Sequence, residues 1–330
     1  MRQHYPHNIT LKVKSNVAVA GTSLSGFCTG ALLGAGASLY FTGTECTKVV
    51  YTSSSSGSTG YPRESYSTAT IVRSIISLDW SGISSVASFQ FPLPDQLPSS
   101  MNHTDGNGSY CCVSYQLKLQ LGGREIVEVV PIQIISKPSC NPTPSPYVED
   151  HVRRRIMLAC CIPKGSIETS IKVDDTRLGI GEVMKICLEL VNNSSVDIKW
   201  ISCQLFEQID WHSCEHHTSD TTIVASQKVS GLKGMKCKAT KQAKAKAVSP
   251  INSDHKSNNV ISCEAFLRVP DYTLQTCTGN LFEIKHHLSI SAQTKCGLTN
   301  VNIQVPAQIT SPRRSMTTIY DYLIATEDRG

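Results

Sequence analysis

The sequence predicts an all-β protein of two domains, and three observations carry that expectation. With 330 residues and 40% hydrophobic content, the chain exceeds what a single core usually fills. Charged residues are only 17%, and Ser, Thr, Gly and Pro separate short apolar runs, which is the composition of strands and turns. Residues 110–121 show the strand period at its cleanest: Val113, Tyr115, Leu117, Leu119 and Leu121 alternate with Ser114, Gln116, Lys118 and Gln120, so one face is core and the other wet.

In chain order, Ile9, Leu11 and Val13 alternate with Thr10, Lys12 and Lys14 to give a first strand. Gly21 and Gly26 suit a tight reversal into a second. Leu39-Tyr-Phe-Thr-Gly-Thr-Glu45 continues as strand. Residues 53–66 are Ser/Gly-rich, offer almost nothing to bury, and are expected as a hairpin tip. Residues 70–80 read as strand or short helix, since periodicity alone does not choose. Residues 89–100, Phe-Gln-Phe-Pro-Leu-Pro-Asp-Gln-Leu-Pro-Ser-Ser, place Phe89, Phe91 and Leu93 on one face of an extended segment. Pro92, Pro94 and Pro98 forbid a helix and lack amide protons, so an edge or a bend is required. Residues 126–135 close the first domain.

Four prolines in residues 137–146 make a stiff linker that cannot pair in a sheet. Beyond it, Ile167, Thr169, Ile171 and Val173 alternate, Gly179-Ile-Gly-Glu182 turns, and Met184, Ile186, Leu188 and Leu190 face inward from the next strand. Residues 196–206, 260–269, 281–290 and 301–305 supply further strands. No repeat of 20 to 50 residues is evident, although the halves echo each other loosely as paired sandwiches.

The net charge of +5 permits anionic partners without demanding nucleic acid, which would call for a denser basic stripe with stacking aromatics. Residues 1–10 carry no apolar leader, and no run of eighteen apolar residues occurs. A soluble cytoplasmic protein is expected. The 14 cysteines fall within strand-like runs, as Cys187, Cys203 and Cys263 do, and read as reduced packing residues. The sequons at Asn8, Asn102, Asn107, Asn192 and Asn193 are then silent.

Residues 89–100 resemble the "F-x-F-x-L-P-x-x-L-P-S-S" signature of the alpha-arrestins, which leads into a strand in that family as it does here. Two earlier elements agree in order: "G-x-x-x-x-G" at Gly21 and Gly26, and "L-x-F-x-G-x-E" at Leu39, Phe41, Gly43 and Glu45. In the second half, Cys160-Cys161, Gly165-Ser-Ile167, Gly181-Glu182 and Asn192-Asn-Ser194 look like the opening of an arrestin C-domain. The resemblance spans about residues 9–309. It implies two immunoglobulin-like β-sandwiches over residues 1–136 and 151–309, joined by a Pro-rich hinge at 137–150 and followed by a loose tail at 310–330. The signature residues Gly21, Gly26, Gly43, Phe89, Phe91, Leu93, Pro94, Leu97 and Pro98 are then structural. It also implies a non-enzymatic adaptor without a cofactor, which grips cytosolic tails of membrane-protein cargo at the plasma membrane or endosomes and links them to endocytic or ubiquitin machinery.

Candidate contact residues follow. Lys233, Lys236, Lys238, Lys241, Lys244 and Lys246 crowd one segment with no acid among them, which suits anionic lipid headgroups at about 1 kcal/mol per lysine or a merely solvated loop. Arg153, Arg154 and Arg155 read the same way. Lys12 and Lys14 share one face of the first strand, where the resemblance suggests that they read cargo phosphates. Tyr320-Asp-Tyr-Leu323 fits a tyrosine sorting pattern, with Tyr320 and Leu323 as its anchors. Residues 211–217 hold His212, Cys214 and His216, which point to one side if the chain is extended and could then surround zinc; a polar loop tip is the alternative. His286 lies in phase with Phe282, Ile284, Leu288 and Ile290 and reads as a core histidine. The adjacent pairs Cys111-Cys112 and Cys160-Cys161 point to opposite faces of a strand, so neither pair bridges itself easily.

No hydrolase elbow, Walker loop, dinucleotide fingerprint, kinase set or zinc-protease helix is present. The Pro-Pro-x-Tyr motif with which many alpha-arrestins recruit ubiquitin ligases is also missing, so that route is in doubt. Two alternatives stand beside the adaptor: a zinc protein built on His212, Cys214 and His216, and a coat-type subunit of the same fold.

Overall fold

A computed structural model describes residues 9–30, 36–53, 60–78, 86–121, 125–137, 148–158, 162–173, 175–230, 260–294 and 300–311. All regular structure among them is β. The first strands are β1 (Thr10–Val13), β2 (Val17–Val19), β3 (Ser23–Thr29), β4 (Ala37–Thr52), β5 (Pro62–Leu78), β6 (Val86–Pro92), β7 (Met101–Thr104), β8 (Tyr110–Leu121) and β9 (Glu125–Ile135). After them come β10 (Val148–Leu158), β11 (Ile162–Val173), β12 (Arg177–Gly179), β13 (Val183–Ser194), β14 (Ile198–Ser213), β15 (His216–Ser230), β16 (Val260–Arg268), β17 (Cys277–Thr278), β18 (Phe282–Thr294) and β19 (Asn300–Thr310). The chain divides into two compact units that interleave in sequence. The first is Met1–Cys140 with Gln208–Asp220 and Leu274–Ile284, and the second is the remainder.

The first unit has a three-stranded sheet, β1-β3-β6, and a larger one, β2-β9-β8-β4-β5, with β7 beside β8. Alternation in β4 and β8 puts Leu39, Phe41, Tyr115, Leu117 and Leu119 fully inside. Leu24, Phe89 and Phe91 of the smaller sheet are buried in the same core. Phe41 joins the two layers: its ring stacks on Tyr115 at 5.8 Å and meets Phe91 at 5.6 Å. β6 lies at the edge of its sheet, which suits the proline at its end, Pro92. Residues 70–78 are strand, and β5 begins at Pro62. The expected tip at 53–66 is therefore too long. Residues 62–66 pair with residues 48–52 of β4, and a strand whose amides are satisfied by its neighbour needs few apolar side chains of its own.

The second unit repeats the plan with β10-β11-β13-β16 and β12-β19-β18-β14-β15, with β17 beside β18; the parts of β14, β15, β17 and β18 within 208–220 and 274–284 belong to the first unit. Its core holds Ile171, Ile186, Ile201, Leu205, Leu288 and Val305. The repeat extends to individual bonds. A three-residue strand runs parallel to a long one in each unit, β2 with β9 and β12 with β19. Gln133 N–H donates to Asn16 O and Ala20 N–H to Ile135 O in the first; Gln308 N–H donates to Thr176 O and Ile180 N–H to Thr310 O in the second. The reversals that follow centre on Gly21 (φ 78°) and Gly181 (φ 84°), a left-handed backbone that glycine adopts without penalty. Their amides donate to Pro94 O and Val269 O, and Leu93 N–H and Val269 N–H return bonds to Thr22 O and Glu182 O. The loose echo in the sequence is thus a matched hydrogen-bond scheme.

Candidate binding surfaces

The polar faces of β4 and β8 point away from the first core, and β5 and β9 extend them into one broad surface. Register aligns Tyr40 with Lys118 and Ile75, Lys118 with Val129, and Thr42 with Gln116 and Arg73. Ile75 is 52% exposed and Val129 46%. These two exposed apolar side chains thus share one face with the cations Lys118 and Arg73. Further along, Lys48 pairs with Glu64 at 3.2 Å and lies over the Tyr110 ring. The Tyr66 hydroxyl donates to the other Glu64 oxygen. That hydroxyl, and then Lys48, hold the Glu64 carboxyl below its ordinary range, while Glu64 pushes the Tyr66 phenol up. Lys12 and Lys14 are exposed on and just beyond β1.

The family-signature residues lie where chain segments close on one another. Phe89, Phe91, Leu93 and Leu97 are buried. A Cβ at Gly26 would sit 2.7 Å from the Phe89 ring, and one at Gly43 would sit 2.4 Å from Tyr115. Gly26 is therefore a seat within β3 and no part of the reversal. Tyr115 donates its hydroxyl to Pro98 O at 2.7 Å, so Gly43, Tyr115 and the proline segment form one packed unit.

Glu45 is 1% exposed. Its Oε2 accepts the amides of Asn280 at 2.8 Å and Leu281 at 2.9 Å. Two residues on, Thr47 Oγ1 donates to His212 O at 2.7 Å, and Trp211 Nε1–H donates to Lys48 O at 3.2 Å. Together these bonds fasten segments 208–220 and 274–284 to β4. Beside them opens a cleft of about 530 Å³ lined by Asp210, His212, His217, Asn280 and Glu283.

The expected zinc ligands do not converge. The chain reverses at Cys214 and Glu215, where Cys214 takes φ 53°, so the extended geometry that would align the three side chains is absent. His212 lies against the His217 ring, and His216 stacks on Tyr51 at 3.7 Å. Among the described residues no group of three or more His, Cys, Asp or Glu is placed to hold a metal ion. The polar-loop alternative is also incomplete, because β15 continues from His216 as strand.

In the second unit a groove of about 620 Å³ crosses β11, β13 and β16 over Ser170, Lys172, Cys187, Glu189, Ser262 and Glu264. Arg153, Arg154 and Arg155 are exposed on β10, with Arg153 paired to Glu168 at 3.1 Å. His286 is buried, as its phase predicts, and meets Glu207 at 3.3 Å. Burial pushes the thiols of Cys28, Cys111, Cys203 and Cys277 up to about 12, so they are protonated packing groups at neutral pH. Lys233, Lys236, Lys238, Lys241, Lys244, Lys246, Tyr320, Leu323, Cys160 and Cys161 lie outside the described residues.

The exposed Ile75 and Val129 and the buried Glu45 went unassigned in the sequence. The signals for them were the polar-side positions of neighbouring strands and a single acid within an apolar strand. No curated protein matches the chain. Residues 163–314 match the family model described as arrestin (or S-antigen), C-terminal domain, and over that stretch the chain is similar to the C-terminal β-sandwich of the arrestins.

Proposed function

We propose that this chain is an arrestin-like, non-enzymatic adaptor of the alpha-arrestin kind, which binds cytosolic tails of membrane proteins and passes them to endocytic or ubiquitin machinery. The observation that carries the reading is the arrestin C-terminal match over 163–314, in a chain whose two units repeat one β-sandwich plan. The surface with Ile75, Val129, Lys118 and Arg73 supports it, since an extended tail with acidic and apolar residues complements it. In this reading the protein is cytoplasmic and peripheral to the plasma membrane or endosomes, and the segment from Lys233 to Lys246 contacts anionic headgroups. Tyr320 and Leu323 serve as a sorting motif, Lys12 and Lys14 contact cargo phosphates, and a ubiquitin ligase is reached without a Pro-Pro-x-Tyr motif.

Proximity labelling in cells tests this with three chains: wild type, Ile75→Glu with Val129→Glu, and the six lysines from Lys233 to Lys246 changed to glutamine. Wild type should label membrane proteins together with endocytic or ubiquitin machinery. The glutamate variant should lose the cargo while keeping its thermal midpoint, and the glutamine variant should leave the membrane fraction. Wild-type labelling of neither class would refute the adaptor reading; identical labelling by all three chains would refute the assigned surfaces.

A further inference from the structure

Cys46 of β4 and Cys112 of β8 face each other directly in the antiparallel register. Their neighbours Glu45, Thr47, Cys111 and Val113 are buried, so by strand alternation both thiols lie on the outer face, where each is half-buried. Thr68 of the neighbouring strand β5 donates to Cys46 Sγ. An internal ruler lies two residues away. Thr44 and Ser114 form the adjacent pair of the same register class and face, and their hydroxyl oxygens are 3.1 Å apart. Directly opposed residues have Cα atoms about 4.5–5.5 Å apart, inside the 4.4–6.8 Å range that a disulfide spans.

We propose that Cys46 and Cys112 form a reversible cross-strand disulfide when a small-molecule disulfide such as oxidised glutathione is available. The Cys46 thiolate attacks one glutathione sulfur, forming a mixed disulfide and releasing one glutathione thiolate. Cys112 then attacks the Cys46 sulfur and expels the second. Two protein thiols are oxidised, one glutathione disulfide is reduced to two thiols, and the two protein protons end on them. Burial pushes the Cys112 thiol up and so lowers its thiolate fraction, which leaves it the second attacker; there the Cys46 sulfur is held opposite it by the register, and proximity offsets the lower fraction. Cross-strand Cβ atoms lie about 4.5–5.5 Å apart, against about 3.5–4.5 Å in a relaxed disulfide. The bridge must therefore draw β4 and β8 together, and a strained disulfide is the readily reduced kind. Cys111 and Cys277 are also neighbours, but Cys111 is fully buried and out of reach of a soluble disulfide.

The test equilibrates full-length protein at neutral pH in glutathione buffers stepped from reduced to oxidised, blocks remaining thiols by alkylation, and reads the non-reduced digest by mass spectrometry. A peptide pair joined through Cys46 and Cys112 should appear as the buffer becomes oxidising, carry a mass lower by two hydrogens, and vanish on adding dithiothreitol. Cys46→Ser should abolish that pair. The adjacent Thr44–Ser114 pair shows that hydroxyls fit this row, and an unchanged thermal midpoint certifies the fold. The proposal is overturned if both thiols stay alkylated in the most oxidising buffer, if each carries a separate glutathione, or if either joins a different cysteine.

Discussion

Replacing Glu45 by alanine removes the acceptor that holds the amides of Asn280 and Leu281. A hydrogen bond to a charged group is worth about 1.5–3 kcal/mol net. Asn280 is exposed and Leu281 half-buried, so water replaces part of what is lost, and about 2–4 kcal/mol for the two bonds together is the working figure. At 1.4 kcal/mol per tenfold, local opening of this segment should rise about 30- to 700-fold. Hydrogen exchange at these two amides reads that opening directly, without assuming that a two-unit protein unfolds in one step. Glu45→Gln keeps an acceptor oxygen at the same reach and gives up only the charge. It should cost about 1 kcal/mol, or fivefold in exchange. Gly279→Ala supplies a control from the other side, since its Cβ would sit 2.7 Å from Glu45 Oε1 and push the carboxylate off its donors. The reasoning fails if Glu45→Ala leaves both amides exchanging as in wild type, or if Glu45→Gln loosens them equally.

One further expectation concerns the first core, and another a half-buried ring pair of the second unit. Gly43→Ala should destabilise the first unit by about 1–3 kcal/mol, because the new methyl overlaps the Tyr115 ring and overpacking costs that much; a urea midpoint equal to that of wild type would contradict it. His287, stacked on Phe206 at 4.9 Å, has its pKa lowered from the ordinary 6.5, first by burial and then by His286. The unfolded chain therefore takes up the proton at higher pH than the folded one. The stability of the second unit is then full above pH 6.5 and declines as pH falls through 6.5 towards the folded value. His287→Phe keeps the stack and removes the titration, so the difference in thermal midpoint between variant and wild type should move in favour of the variant on acidification. A difference that stays constant with pH would refute the assignment.

Strand faces were legible wherever apolar residues alternate, as in β8 and β13, because burial of one face imposes the period. β5 and β15 were not. β15 reads His-His-Thr-Ser-Asp-Thr-Thr and an exposed Ile223 before its first buried residue, Val224, and its backbone is satisfied by pairing that a single segment's composition does not register. The zinc reading failed for a related reason: alignment of His212, Cys214 and His216 presupposed an extended chain through Cys214, where a two-residue turn intervenes. Glu45 was visible as a motif letter, but its role depends on residues 280 and 281, and no local pattern connects positions so far apart in the chain. The repeated reversal at Gly21 and Gly181 escaped periodicity because the two copies share backbone bonds and little side-chain identity.

The residues that made the family resemblance readable do a common physical job. Gly26 and Gly43 clear space for Phe89 and Tyr115, Gly21 and Gly181 permit a left-handed reversal, and Asn192 holds its own turn through bonds to Val196 O and Ser194. Each lies where two segments approach too closely for an ordinary side chain or need a bond that the ladder does not provide. Such positions constrain residue type strongly, because a substitution there meets a clash or a strained backbone. The outer rows through Tyr40, Ile75, Lys118 and Val129 meet only a weaker demand, that the strand remain a strand. On the adaptor reading proposed above, specificity for a partner falls to the positions that the fold leaves free. If that reading holds, exchanging Ile75 and Val129, which are 52% and 46% exposed, should redirect binding while leaving the sandwich intact.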